Sequence, residues 1–359
     1  MLVSLPFALP LIAMTFTPPP IDEPAPVPLI APDAIENPAL AVPTIDPPAV
    51  APEQPSPATT PNASFSPPNL PLPTLGGMQF WGDVTHRAGW RIQRHAGTGH
   101  HRLLDDRDVR RAWGDRAACE AALTAAIEAH ALPRPAGKTV ILLHGMIRSG
   151  KCFAKLAADL KAAGFATVAV DYPSTRQSLR DSAKMLDEIT DRLIRDQDPE
   201  HPVSLHFVCH SAGGLVLRSW TELQPEEIRV GRTVMLGVPN GGASMADAIR
   251  GMPGLGQTLD FLWGAAAAEL SNDPQQTLTA LPKPRGEFAT IAGCRGTANG
   301  YNPLVPGDDD GTVAVSEAHL EGETDHLSVP GAGHSFLMMN PTIRGATVRF
   351  LQHGQFSKD

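Results

Sequence analysis

The run Val208-Cys209-His210-Ser211-Ala212-Gly213-Gly214 sets a serine between an apolar stretch, Val203 to Cys209, and an amphipathic one, Leu215 to Leu223. A serine on a sharp strand-to-helix turn, with small residues on both sides, is the pattern of a nucleophile elbow. The turn lifts the Ser211 hydroxyl above the sheet, and only small neighbours let the helix pack that close. A hydroxyl is a poor nucleophile until a base removes its proton. The base needs a third group to hold its tautomer. Charge developing on a substrate oxygen needs donors aimed at it.

Residues of the right type lie elsewhere in the chain. His144-Gly145-Met146 directly follows the apolar run Thr139 to Leu143. Gly145 permits a tight turn, so the Met146 backbone N–H can face the serine; the N–H of Ala212 would be the second oxyanion donor. His144 beside that hole suits a structural hydrogen bond better than proton transfer. The acid is sought after the strand ending near Cys294, where Asp308-Asp309-Asp310-Gly311-Thr312-Val313 lies. Asp310 is the choice, because Gly311 allows a turn and Thr312-Val313 resumes an ordered segment. Asp308 and Asp309 stay open as alternatives. The triple acid lacks the alternating spacing of an EF-hand calcium loop.

For the base, His334 follows the last strand across Pro330-Gly331-Ala332-Gly333, a loop that can reach over the sheet edge. His326 begins that strand, at its wrong end, and reads as structural. His319 and His210 are weaker candidates, since His210 sits within the elbow and should turn away.

These residues need a scaffold. Short apolar runs alternate with helical patterns from Lys138 onward. Strands are expected at Thr139–Leu143, Ala166–Val170, Val203–Cys209, Thr233–Leu236, Phe288–Ala292 and Leu327–Val329, and helices at Lys151–Ala163 and Arg176–Asp196. Continuous apolar strands are those buried on both faces. Their alternation with helices predicts an α/β fold, with a mostly parallel sheet covered by helices on both sides. About 241–285 breaks the rhythm with helical pieces, Ala243–Arg250 and Leu259–Leu270, and reads as a helical cap insertion. The catalytic domain is thus expected over 136–359.

Residues 76–135 have ordinary globular composition. Gly89 to Arg94 and His101 to Leu104 flank Ala96-Gly97-Thr98-Gly99, which reads as a β-hairpin, and Ala117 to Ala131 reads as a helix. This segment is too small to stand alone and should pack on the α/β domain C-terminal to it. Arg107, Arg110 and Arg111 read as a solvated face. Residues 17–75 are rich in Pro and Ala, and over half of the chain's 36 prolines precede Leu75. Proline removes donors and fixes φ, so a disordered or polyproline-like tether is expected. Residues 1–16 are apolar but too short to span a bilayer. They resemble the core of a secretory signal without its basic start, since the first Lys or Arg is Arg87. An exported or envelope location, with membrane association through this segment, is expected over the cytoplasm.

With 29 basic against 38 acidic residues, the formal charge is −9. That excludes a general affinity for nucleic acid, which needs clustered cations. Cys119, Cys152, Cys209 and Cys294 contain no CxxC pair, so no cysteine zinc site is expected. No metal or cofactor is expected.

Four pieces, His144-Gly145-Met146, Cys209-His210-Ser211-Ala212-Gly213-Gly214, Asp310-Gly311-Thr312-Val313 and His334, occur in the order Ser, Asp, His. Together they resemble the α/β-hydrolase superfamily, in particular its bacterial lipases and esterases, over about Thr139 to the C-terminus. Val238-Pro239-Asn240-Gly241-Gly242 is similar to that family's loop after the strand beyond the elbow. The resemblance implies Ser211 as acylated nucleophile, His334 as base and acid, Asp310 as its orienter, and Met146 and Ala212 as oxyanion donors. It implies hydrolysis of a small-molecule or lipid ester; Met338 and Met339, near His334, suit either the lining of an acyl pocket or core packing. The alternatives are acyl transfer on the same triad, or a non-catalytic envelope protein with a hydrolase-like domain. One departure stands out: the family's first elbow glycine is Cys209 here.

Overall fold

The computed structural model describes residues 72–73, 79–224, 230–242, 244, 278 and 280–357. The apolar N-terminal segment, nearly all of the proline-rich stretch and most of the expected cap lie outside the described residues. Contacts divide the chain into Met1–Ala63 and Ser64–Asp359, and every described residue belongs to the second unit. No helix among the described residues is long and apolar enough to cross a membrane.

Two sheets carry the second unit. The first is antiparallel, ordered β1-β5-β4-β3-β2. Its strands are β1 (Leu72–Pro73), β2 (Trp81–Arg87), β3 (Trp90–His95), β4 (His101–Leu104) and β5 (Val109–Gly114). Helix α1 (Arg116–His130) is capped by the Asp115 carboxylate, which accepts the Ala118 N–H at 2.8 Å. Its Cys119, Leu123 and Ala126 pack on Val84, Ile92, Leu103 and Ala112. The sequence pattern revealed only the β3–β4 hairpin. Strand β2 is hidden because it buries Asp83 and Thr85 as well as Val84, which masks the apolar alternation.

The second sheet is parallel throughout, ordered β11-β10-β9-β8-β6-β7. Its strands are β6 (Lys138–Leu143), β7 (Ala166–Val170), β8 (Ser204–His210), β9 (Val230–Leu236), β10 (Glu287–Cys294) and β11 (Asp325–Pro330). Helices α2 (Ala154–Ala162), α3 (Leu179–Arg195), α4 (Ala212–Leu223), α5 (Val315–Ala318) and α6 (Pro341–His353) connect or follow them. Alternate residues of each strand face opposite layers. Ile141, Leu143, Phe207 and Cys209 pack under Leu186 and Ile189 of α3 and Leu217 and Trp220 of α4. Val140, Leu142 and Val208 pack under Leu156 and Leu160 of α2 and Phe350 of α6. Burial on both faces explains the long apolar runs of these strands, such as Val140 to Leu143.

Two helices start later than their periodicity suggests. Ser178 accepts the Asp181 N–H at 2.9 Å and so begins α3, while Arg176 N–H turns back to the Pro173 carbonyl. Gly150–Phe153 forms a 3₁₀ turn ahead of α2, its first N–H taken by Asp171 Oδ1 at 2.7 Å.

Candidate active site

Strand β8 delivers Ser211 and α4 leaves from it. Ser211 has φ 54° and ψ −129°, a backbone conformation that non-glycine residues rarely adopt. The surroundings hold it there. Ser211 N–H donates to the Leu236 carbonyl at 3.0 Å, and the Ser211 carbonyl accepts the Gly214 N–H at 2.9 Å. A Cβ on Gly213 would lie 2.4 Å from the Leu143 carbonyl oxygen, and one on Gly214 would lie 2.4 Å from Val238. Glycine at both positions is what lets α4 sit against β6 and the loop after β9. Cys209 lies within β8, between Leu143 and Met235 on the neighbouring strands, fully buried. Burial pushes its thiol pKa up. The serine turn forms with cysteine two residues ahead.

His334 follows β11 after a turn in which the Gly331 N–H returns to the Cys294 carbonyl. Its Nε2 lies 3.0 Å from Ser211 Oγ and its Nδ1 lies 2.8 Å from Asp310 Oδ2. Its backbone N–H also donates to the Asp310 carbonyl at 2.8 Å. The Asp310 side chain is 1% exposed, and its other oxygen accepts the N–H groups of Thr312 and Val313 at 3.0 and 2.8 Å. The neighbouring acids do other work. Asp308 accepts the N–H groups of Arg295 and Gly296, and Asp309 accepts those of Asn302 and Gly311. Both shape the loop that presents Asp310.

The other histidines are accounted for separately. His144 is fully buried and stacked on Tyr172, its Nδ1–H donating to the Gly145 carbonyl at 2.8 Å. Its Nε2 accepts the Tyr172 N–H at 3.3 Å. Burial lowers its pKa to about 4, so it is neutral at pH 7. His210 Nε2–H donates to the His334 carbonyl at 2.9 Å, and burial holds His210 neutral as well. His326 contacts Thr290 and Ser328, and His319 contacts Glu323, away from Ser211.

The His144-Gly145-Met146 turn lies against the serine: a Cβ on Gly145 would be 2.9 Å from Ser211 Cβ. Ala212 is the first residue of α4, where N–H groups have no carbonyl within the helix. Beyond Met146, the Ile147 N–H donates to Ser174 Oγ at 3.1 Å. Gln79 joins this brace. Its Oε1 accepts from the Ser174 hydroxyl, the Thr175 N–H and the Thr175 hydroxyl at 2.8–3.1 Å, and its Nε2 donates to the Arg148 carbonyl at 3.3 Å. Sequence reasoning missed Gln79 and Ser174 because neither lies in a motif. Of the two readings for the methionines, Met338 takes core packing, buried beside Leu337 and Phe350, while Met339 is exposed.

Residues 104–281 match a family model described as Domain of unknown function (DUF7379). Comparison with curated proteins finds no match. Among solved structures, the chain is similar to the mature lipase BlEst2 of Bacillus licheniformis, with TM-score 0.46 and 20% identity over 62% of this chain and 94% of that one. It is similar to the lin2722 product of Listeria innocua, with TM-score 0.42 and 16% identity over 62% and 96%. It is also similar to the monoacylglycerol lipase of Paleococcus ferrophilus, with TM-score 0.38 and 15% identity over 61% and 95%. The parallel sheet ordered β11-β10-β9-β8-β6-β7, with a serine turn between β8 and α4, is the α/β-hydrolase arrangement expected from the sequence.

Proposed function

We propose that this protein is a serine hydrolase that cleaves carboxylic esters through an acyl-enzyme. The observation that carries this reading is the continuous chain of contacts from Ser211 Oγ to His334 Nε2 at 3.0 Å and from His334 Nδ1 to Asp310 Oδ2 at 2.8 Å. In this reading His334 Nε2 takes the Ser211 proton as Oγ attacks the ester carbonyl. Asp310 accepts from Nδ1–H and stabilises the imidazolium that forms; its two backbone N–H contacts keep it pointed at the ring. The Met146 and Ala212 N–H groups hold the oxyanion, each worth on the order of 3 kcal/mol of barrier. Collapse expels the alcohol, which takes its proton from His334. Water then attacks the acyl-enzyme with His334 again as base and releases the carboxylic acid. No cofactor enters any step. The exposed apolar side chains Ile147 and Phe336, close in sequence to Met146 and His334, favour an ester with an apolar acyl group.

The test is labelling with a fluorophosphonate, which phosphonylates an activated serine. Wild-type protein is expected to label and Ser211→Ala is not. Folded wild-type protein that fails to label would overturn the hydrolase reading in favour of a non-catalytic role. A p-nitrophenyl ester series then sets the preferred acyl length.

A further inference from the structure

Outside the triad, one cluster of metal-ligating side chains stands out. His319, Glu323 and His326 each offer a ligand atom, and these atoms lie within 4.8 Å of one another. His319 follows α5, Glu323 sits in the next turn, and His326 is the second residue of β11. We propose that these three residues form a binding site for a divalent zinc-class ion.

The same side chains are joined by hydrogen bonds in this structure, His319 Nδ1 to Glu323 Oε1 and His326 Nδ1 to the Thr290 hydroxyl at 2.6 Å, and one small cation would replace both. Both histidine Nδ1 atoms converge on the same carboxylate oxygen, Glu323 Oε1, at 2.5 Å for His319 and 3.8 Å for His326. The two rings are stacked with centroids 3.6 Å apart, so His319 must swing out of the stack for one ion to lie in both ring planes. A single ion bound to the neutral rings takes His326 Nδ1 away from Thr290, leaves the Thr290 proton for Glu323 Oε2, and joins both nitrogens to the carboxylate. Zinc takes nitrogen and oxygen ligands at about 2.0–2.2 Å, which sets tetrahedral ligands roughly 3.4 Å apart. His326 is near that spacing already. His319 must draw back by about 1 Å, and it is the half-exposed member, best able to move.

The surroundings orient the ligands in the manner of known metal sites. The remaining ring nitrogen of His326 lies 3.1 Å from Ser328 Oγ, a contact that fixes the ring. The Thr290 hydroxyl, on β10 directly opposite His326, donates to Glu323 Oε2 and so holds the second carboxylate oxygen. The turn is closed by the Glu323 N–H to the Leu320 carbonyl. Two imidazoles and one carboxylate suit zinc and its transition-metal neighbours; calcium and magnesium prefer oxygen alone. The site lies at the start of β11, whereas His334 follows that strand's end. Its role is therefore a pin on the segment running from Asp310 through α5 to His334, not a part in the ester chemistry.

The experiment is a zinc titration of the EDTA-stripped, dialysed full-length chain against a chromophoric chelator, with thermal melting in parallel. The expected result is one ion per chain and a Tm that rises with zinc concentration. His319→Ala and His326→Ala should each weaken binding by roughly 100-fold or more and abolish the Tm response, while His334→Ala binds zinc as wild type does. Cobalt substitution should give the intense visible bands of a tetrahedral site in wild type and lose them in His319→Ala, which changes a half-exposed side chain and so leaves the fold intact. Absence of stoichiometric zinc binding to wild type, or unchanged binding by both histidine variants, would overturn the proposal. Neither outcome bears on the hydrolase reading, which the serine label tests separately.

Discussion

The N–H of Ile147 donates to the Ser174 hydroxyl at 3.1 Å, and that hydroxyl donates in turn to Gln79. The proposed oxyanion donor Met146 is the residue just before Ile147. Ile147 itself has φ 56°, a backbone state that a β-branched residue avoids unless neighbours impose it. The brace runs from the segment preceding β2 into the loop after β6. It ties Gln79, ahead of β2, to the loop that carries the proposed oxyanion donor.

Ser174→Ala removes the acceptor for the Ile147 N–H and leaves the triad untouched. With the Met146 N–H misplaced, kcat for a p-nitrophenyl ester should fall by about 10–100-fold, with KM nearly unchanged. Gln79→Ala should act the same way, more weakly. Steady-state kinetics separates the two constants. A change in KM alone would assign the brace to substrate binding.

Asp310→Asn keeps the loop geometry, because Asn Oδ1 still accepts the N–H groups of Thr312 and Val313. It loses the charge that stabilises imidazolium, and its amide favours the wrong histidine tautomer. The loss in kcat should be about 10⁴-fold. Asp309→Asn should spare kcat and lower Tm instead, since Asp309 accepts the N–H groups of Asn302 and Gly311 and not His334.

Ser211→Gly should be more stable than wild type. A serine at φ 54° stores about 1–3 kcal/mol of strain, and glycine relieves it at an entropic cost of about 0.5–1 kcal/mol. A net gain near 1 kcal/mol raises Tm by about 2–4 °C in a domain of this size. A lower Tm would mean that the turn is not strained in solution.

Cys209→Gly tests the one departure from the family's elbow. The cysteine is packed in the core opposite Leu143 and Met235. Glycine adds strand entropy and a small void, for a cost of about 1–2 kcal/mol. Turnover per folded molecule should hold, because Ser211 is positioned by the Leu236 carbonyl and by Gly213 and Gly214. Turnover that collapses while Tm holds would reveal a role for the sulfur.

The sheet was legible in the sequence because its strands are largely apolar on both faces, a pattern that Val140 to Leu143 of β6 displays without interruption and that β8 carries past His206. The serine turn was legible because Gly213 and Gly214 have no room for a Cβ. The choice among Asp308, Asp309 and Asp310 was not, since three adjacent acids look alike until the loop folds and aims one of them at His334. The antiparallel sheet was half hidden, because β2 buries Asp83 against Gln93 and the Asp171 N–H. Such polar burial erases the alternation by which strands are recognised. His319, Glu323 and His326 carry no contiguous signature; a turn between two elements brings them together.

Buried ionisable groups give stability a pH dependence of opposing signs. Burial raises the Asp171 pKa to about 6, with the Asp83 charge adding to it. Between the unfolded value near 4 and 6, the native state holds a proton that the unfolded chain has released. This contribution is therefore present in full below pH 4 and is lost as pH rises through 6. His144 and His206 act in reverse: burial lowers both to about 4, so their contribution is present above 6.5 and lost as pH falls toward 4. Asp171→Asn separates the two. Its Oδ1 still accepts the Gly150 N–H, and no charge is buried at high pH. Its Tm should exceed that of wild type by a few degrees at pH 8 and converge with it near pH 4, where both then lose stability through the histidines. Melting curves across pH 4–8 test this. Equal Tm values at pH 8 would show that Asp171 ionises in the folded protein without cost.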